Sequence, residues 1–380
     1  MRATSLHDYC NDRILLFPFK DVPTSWRRLM MDGGMLKCAC QLKRLLLKEH
    51  DPDMERHVQT IMADLDTCHV ICGAPGRDRR QVTLDTLDEL QSWLSAYRRR
   101  QYQKEDPEQQ QHLNKKIKTQ HRNTTDDGMI TKLTCPIKRR DEAPSLFEFL
   151  HHCNQCMPTP FIIPQGVIDD WPAFHQHPWS SIDYLLSVAS ERMVPIELGS
   201  QYTDAGWGQK MMRFADFIQD YIIESPDRKA YLAQHDLFHQ IPRLEGDMRV
   251  PDYCYMQPNL TKYYTERPED VIKNAWFGPA GTVSPLHQDP YHNLLAQVVG
   301  CKYIRLYSPD QTALMYPHEG LMTNTSQVDL EKPDHTRFPQ FKDASYVECI
   351  LNPGELLYIP PKWWHYVKSL ETSFSVSLWF

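Results

Sequence analysis

Apolar and polar positions alternate along the chain with two different periods. Met54, Val58, Ile61, Met62, Leu65, Cys68 and Cys72 recur at three- and four-residue steps after Asp51-Pro52 and before Gly73, which predicts an amphipathic helix ended by a glycine. Met35, Ala39, Leu42 and Leu46 form a second stripe of this kind. Thr86-Leu-Asp-Glu89 has the form of a capping box ahead of Leu90, Leu94 and Tyr97 and predicts a third helix. About three helices between Trp26 and Tyr97 suggest a small α-helical domain over residues 1–97, its Cys- and Met-bearing stripes serving packing. Residues 98–134 are polar and nearly devoid of apolar side chains. Such a segment cannot bury enough surface to fold, so it is expected to be a disordered linker before a domain over 135–380.

In the last hundred residues the period changes to two. Ser373-Phe-Ser-Val-Ser-Leu-Trp-Phe380 alternates small polar with large apolar residues, as a half-buried strand does. Phe374, Val376 and Leu378 then share one face, and Ser373, Ser375, Ser377 and Trp379 line the other, leaving room for a ligand. Upstream, Pro290 to Pro309 holds two β-rich runs divided by Gly300, which reads as a hairpin turning at Gly300-Cys301. Asn352 to His365 reads as a turn, a short apolar strand and a proline bend that delivers a histidine.

These strands carry the chemistry. Pro285-Leu-His-Gln-Asp-Pro290 supplies His287 and Asp289, and Tyr358-Ile-Pro-Pro-Lys-Trp-Trp-His365 supplies His365. Residues i and i+2 of a strand point to one face, so His287 and Asp289 can grip one ion from one wall while His365 approaches from another. Two imidazoles and a carboxylate are the ligand set of mononuclear non-haem Fe(II) oxygenases. Counting on in twos places Asn293 and Val299 on the metal face, and the two-residue turn adds Lys302 to it. A lysine aimed into a barrel wall is costly unless it meets an anion, which makes Lys302 a candidate for a cosubstrate carboxylate.

Around these blocks stand Thr159 to Pro172, Glu197-Leu-Gly-Ser-Gln-Tyr-Thr203, Tyr231-Leu-Ala-Gln-His235 and Ala275-Trp-Phe-Gly-Pro-Ala-Gly-Thr282. Together they resemble the Jumonji-C oxygenases from about Pro158 to Phe380, nearest the subgroup of lysine-specific demethylase 8 and protein arginyl C-3 hydroxylases. The resemblance implies an α+β protein: a C-terminal double-stranded β-helix, the cupin-like jelly roll, preceded by the helical domain. It implies that His287, Asp289 and His365 bind Fe(II), and that Tyr231, Asn293 and Lys302 hold 2-oxoglutarate with Ser284 and Trp379 nearby. Glu197 and Trp276 match positions lining the substrate pocket, where a carboxylate and an indole face suit a guanidinium. The implied reaction uses O2 and 2-oxoglutarate, releases succinate and CO2, and hydroxylates a C–H bond of a protein residue.

The first motif is His-x-Asp, and Lys302 follows Asp289 by thirteen positions. This resembles the small protein hydroxylases more than the dedicated histone demethylases, which often use His-x-Glu and a later lysine. Arginine hydroxylation at C3 is therefore the expected activity, with N-methyl-lysine demethylation and a catalytically silent interaction module as alternatives.

Composition changes this picture little. A net charge of −7 argues against direct nucleic-acid binding yet admits basic ribosomal or chromatin peptides as substrates. The N-terminus has no apolar signal core and no run suits a membrane span, so the expected location is nucleus or cytoplasm. Eleven cysteines fit reduced thiols, which leaves the Asn-x-Ser/Thr matches at Asn123, Asn259 and Asn324 idle. His151-His-Cys-Asn-Gln-Cys156 offers zinc ligands without a second cluster to complete them, and the basic runs at Arg98 to Arg100 and Lys115 to Lys118 read as solvated charge.

Overall fold

A computed structural model describes residues 2–17, 21–47, 51–102, 133–199, 207–224 and 228–380. The protein forms two compact units. One comprises residues 1–114 with 185–194 and 211–216, and the other 115–184, 195–210 and 217–380.

The first unit is built on four helices: α1 (Arg2–Ile14), α2 (Thr24–Leu46), α3 (Met54–Cys72) and α4 (Arg79–Tyr102). The α3 stripe packs as its spacing predicts, with Val58, Ile61, Met62, Leu65, Cys68 and Cys72 buried. Gly73 ends the helix in the left-handed region at φ 66°. The stripe expected on α2 holds in part: Met35 and Leu42 pack half-buried against the core, whereas Ala39 is exposed and Leu46 is 86% exposed, and Met30, Met31, Cys38 and Leu45 are the buried positions. Residues 86–89 do not start a helix either. They lie inside α4, where Thr86 Oγ1 donates back to the carbonyl of Val82. A capping box does form at Ser145 and Glu148, opening α5 (Leu146–Cys153) in the second unit. Residues 98–102 of the expected linker are the last turn of α4, and 103–132 lie outside the described residues.

Within this first unit Asp66, wholly buried on α3, accepts Arg192 Nε at 3.0 Å, Arg192 Nη2 at 2.8 Å and the amide of Met193 at 2.7 Å. Burying two charges is tolerated only because each is fully paired.

The second unit is a β-sandwich. Its strands begin β1 (Phe161–Ile163), β2 (Met193–Leu198) and β3 (Gly208–Arg213), of which residues 193–194 and 211–213 fall in the first unit, then β4 (Ala230–His235), β5 (Ile272–Gly278) and β6 (Val283–Gln288). They continue β7 (Asn293–Val299), β8 (Lys302–Tyr307), β9 (Tyr346–Leu351), β10 (Leu356–Ile359), β11 (Trp364–Ser369) and β12 (Ser373–Trp379). Eight form a sheet in the order β1-β10-β7-β12-β5-β4-β2-β3, and four form a second, β6-β11-β8-β9. Leu295, Leu357 and Ile359 of the first sheet meet Ile304, Leu306, Leu351 and Val367 of the second in one apolar core. This is the jelly roll that the resemblance implied.

One expectation needs correcting. Strands β7 and β8 are not a hairpin, because β7 lies in the large sheet and β8 in the small one. Gly300-Cys301 is the corner at which the backbone passes from one sheet to the other. Gly300 has φ 65°, and a Cβ there would stand 2.2 Å from the carbonyl oxygen of Thr372, so only glycine fits. Buried Gln297 braces the corner by donating from Nε2 to the carbonyls of Val299 and Gly300 and to Ser373 Oγ. Lys302 still enters the interior, 1% exposed, though through a sheet crossing rather than a paired turn.

Asp66→Ala would strand the Arg192 charge in the first unit and is expected to cost about 3–5 kcal/mol, measured by denaturant unfolding of the full-length protein.

Candidate active site

The site is assembled by strand pairing. His287 of β6 and His365 of β11 are direct cross-strand partners, with ring centroids 4.2 Å apart. Asp289 follows β6 by one residue, and its Oδ2 lies 3.5 Å from His365 Nε2. The ligand atoms of all three fall within 4.8 Å of one another, the one such group among the described residues. The zinc alternative at residues 151–156 does not converge. There His152 Nε2 bonds the Thr159 carbonyl, Cys153 is buried and Cys156 is exposed.

Backbone carbonyls fix both imidazoles. His287 Nδ1 donates to the Pro285 carbonyl at 2.6 Å and His365 Nδ1 to the Trp363 carbonyl at 2.9 Å. With the proton held on Nδ1, each Nε2 keeps its lone pair for a metal. Lys362, at φ 63° in the Pro360-Pro361 bend, donates its amide to the Asp289 carbonyl at 2.8 Å and ties the two ligand blocks together. Burial, reinforced by the neighbouring His365, pushes His287 down to about 4. Burial opposes ionisation of Asp289, but the nearby His365, His287 and Lys362 outweigh it and hold the carboxyl below its usual range. A lowered His287 and a lowered Asp289 favour the neutral imidazole and the ionised carboxylate that bind a cation, and the donor set of the triad fits iron.

Behind the triad lies a narrow chamber of about 30 Å³, lined by Tyr231, Ser284, Asn293, Lys302 and Ser377 among others. Lys302 Nζ donates to Tyr231 Oη at 3.0 Å and to Ser375 Oγ at 2.6 Å. No carboxylate pairs with it among the described residues, and burial pushes its pKa down to about 7. Ser284 lines the chamber beside Tyr231. Asn293 Oδ1 is buried with no partner among the described residues. An ammonium, a phenol, a hydroxyl and a carboxamide whose NH2 can donate, lining one small space, fit an anion bearing several oxygens, as 2-oxoglutarate does.

The chamber shares Tyr231, Trp276, Ser284, His287 and Asp289 with an outer cavity of about 420 Å³. Glu197 and Trp276 both line this cavity. Glu197 pairs across β2 and β4 with Tyr231, whose ring lies 6.0 Å from that of Trp276. Burial raises the Glu197 carboxyl, against a weaker opposing hydrogen bond from Trp207. Trp276 Nε1 donates to Ser377 Oγ at 2.9 Å, which turns the indole face along the wall. Trp379 is the one cosubstrate candidate that lines the outer cavity and not the chamber; it lies beside Asn293 in the β12–β7 register, with its Nε1 unpartnered among the described residues.

Sequence reasoning passed over Asn324 and Met322, which line the outer cavity, and Thr325, which pairs with His287. They lie in a long segment between strands where neither period is legible. It had placed Ser375 and Ser377 on the ligand face without their partners, Lys302 and Trp276.

A family model described as a cupin-like domain matches residues 148–380. Lysine-specific demethylase 8 of Danio rerio is 41% identical, over 100% of this chain and 87% of its own length. The protein of the same name from Xenopus tropicalis is 50% identical over 66% of this chain, and Jumonji C domain-containing protein 5 of Drosophila melanogaster is 42% identical over 66%. Of these last two the chain spans 52% and 62% of the length. With a jelly roll and a His-Asp-His cluster compatible with iron behind these similarities, the chain belongs to the cupin-like Jumonji-C oxygenases dependent on Fe(II) and 2-oxoglutarate, in their lysine-specific demethylase 8 subgroup.

Proposed function

We propose that this oxygenase hydroxylates an arginine side chain of a protein at C3, with release of succinate and CO2. The observation that carries the reading is Glu197. It is a half-buried carboxyl in the outer cavity, raised by burial and paired with no cation among the described residues. Such a group calls for a positive side chain from outside. A guanidinium can donate two parallel hydrogen bonds to the carboxylate and lay its plane on the Trp276 indole. An ammonium ion lacks that planar fork.

In this reading His287, Asp289 and His365 hold the iron, and Lys302, Tyr231, Ser284 and Asn293 hold 2-oxoglutarate. The bound iron supplies the oxidation. The protein decides which C–H lies in reach and keeps water away, through the apolar walls Leu295, Ile359 and Val367 around the chamber. A hydroxyl on arginine C3 stays in place, whereas a hydroxylated N-methyl group is lost as formaldehyde.

A second reading, N-methyl-lysine demethylation, is favoured by the names of the Danio and Xenopus relatives. A methylated ammonium can also sit against Trp276 and Tyr231, with chromatin proteins as substrates. Basic ribosomal or chromatin proteins suit Glu197 under either reading, and a nuclear or cytoplasmic location goes with them. Among the described residues no helix is long and apolar enough to cross a membrane. A silent interaction module remains the third reading, opposed by the intact triad and by the buried lysine that awaits an anion.

Intact-mass spectrometry of arginine and methyl-lysine peptides incubated with Fe(II), 2-oxoglutarate and O2 separates these readings. Arginine peptides are expected to gain about 16 Da, whereas a loss of about 14 Da from methyl-lysine peptides overturns the arginine assignment, the C–H held near iron deciding between them. Lys302→Met is expected to raise the KM for 2-oxoglutarate on the order of 100-fold, the worth of a charge-assisted hydrogen bond, in steady-state succinate assays. Glu197→Gln should lower kcat/KM for arginine peptides about 100-fold and move the KM for 2-oxoglutarate far less. Equal loss for charged and neutral peptides would remove Glu197 from substrate recognition.

A further inference from the structure

In the four-stranded sheet β6, which carries His287, stands at the edge. An edge strand exposes unpaired amides and carbonyls unless something covers them. Here the segment between β8 and β9 returns to do so. Ser326 donates its amide to the Leu286 carbonyl and Gln288 donates to the Asn324 carbonyl, both at 2.8 Å, so that Thr325 lies opposite His287. The same segment folds back on residues 316–318. The His318 amide donates to the Thr325 carbonyl at 2.8 Å and the Gln327 amide to the Tyr316 carbonyl at 2.9 Å. Residues 316–327 are therefore a small hairpin laid along the ligand strand.

Its base and its tip differ. The base is anchored by Ser326 Oγ, which donates to the Met315 carbonyl, and by an apolar cluster of Met315, Val328, Phe338, Phe341 and Trp364. At the tip Gly320 sits at φ 74° with nothing around its Cβ position, and Met322 is 37% exposed. Met322 and Asn324 both line the outer cavity, which they share with Glu197 and Trp276 of the large sheet. The Asn324 carboxamide makes a single long hydrogen bond, 3.4 Å from Nδ2 to the Gln288 carbonyl, and its Oδ1 has no partner among the described residues. The hairpin thus presents a carboxamide with spare donor and acceptor capacity, next to an exposed thioether, at the mouth of the site.

A peptide that delivers a side chain between these walls must leave its main chain at the mouth. Its peptide groups need donors and acceptors there, and the residue beside the target needs a surface. We propose that the hairpin of residues 316–327 is the docking wall for the substrate's main chain. Asn324 holds a peptide group, and Met322 selects an apolar residue next to the modified one. The proposal rests on the reading of the outer cavity as a protein-substrate site, but not on whether arginine or methyl-lysine enters it. Met322 adapts to varied apolar partners because its side chain is unbranched and polarizable. On this arrangement the large-sheet wall reads the charge and the hairpin wall reads the neighbour.

The test is photocrosslinking of the full-length protein, loaded with Fe(II) and 2-oxoglutarate without O2. The probes are two short peptides, one with arginine and one with trimethyl-lysine, each carrying a diazirine leucine beside the target residue. Crosslinks mapped by mass spectrometry are expected at residues 322–324 for whichever peptide binds. Crosslinks confined to other walls, or none with either peptide, overturn the hairpin. Hairpin crosslinks with trimethyl-lysine alone support it while overturning the arginine reading. In a parallel kinetic series, Met322→Glu on the exposed tip should reverse the flanking preference from apolar to basic by about 10-fold, and Asn324→Ala should raise the peptide KM about 5- to 10-fold, the loss of a single hydrogen bond. Flanking profiles identical to the parent in both variants would also overturn it.

Discussion

A cation buried without an anion is the constraint around which this enzyme is arranged. Lys302 is almost wholly removed from water, and its only described partners are two hydroxyls, Tyr231 and Ser375. Desolvating an ammonium is expensive, and hydroxyl groups compensate a part of that cost. The surrounding architecture keeps the group there nonetheless. The Gly300 corner turns the backbone from one sheet to the other, Gln297 braces that corner, and β12 brings Ser375 from the opposite side. Under the proposed function a cosubstrate carboxylate would complete the balance, and stability given up by the fold would return as affinity for it.

The metal ligands obey a different logic. They are placed by β-sheet register, which is fixed by hydrogen bonds far from the ion. His287 and His365 face each other because β6 and β11 pair, and each ring is then held by a carbonyl two residues upstream. The Pro-Pro bend sends the Lys362 amide back to Asp289. The triad proposed to hold a cation and the lysine proposed to hold an anion are thus placed by separate structural devices that meet in one chamber.

Much of this was legible in the sequence, for physical reasons. A strand has a strict period of two, so His287, Asp289, Asn293 and the serines of the last strand could be assigned to a face by counting. The α3 stripe was readable because seven apolar residues over five turns outweigh chance. Pairing partners were not readable: two β-rich runs divided by a glycine look the same whether they fold on each other or part into two sheets, which is why a hairpin was expected at Gly300. The start of α4 escaped because Thr86 to Glu89 satisfies the capping pattern equally well in mid-helix, where Thr86 bonds backward instead. The wall of residues 322–325 escaped because hydrogen bonds to β6, rather than any periodic pattern, decide its position.

The tethering of both imidazoles has a further consequence. Because Nδ1 of each ring is engaged by backbone, the cradle is formed before any ion arrives, and its geometry is that of the sheet rather than of a particular metal. Two imidazoles and a carboxylate bind the later first-row dications at least as strongly as iron. Nickel, cobalt or zinc would therefore compete for the same seat, and iron held there would be open to displacement when those metals are in excess.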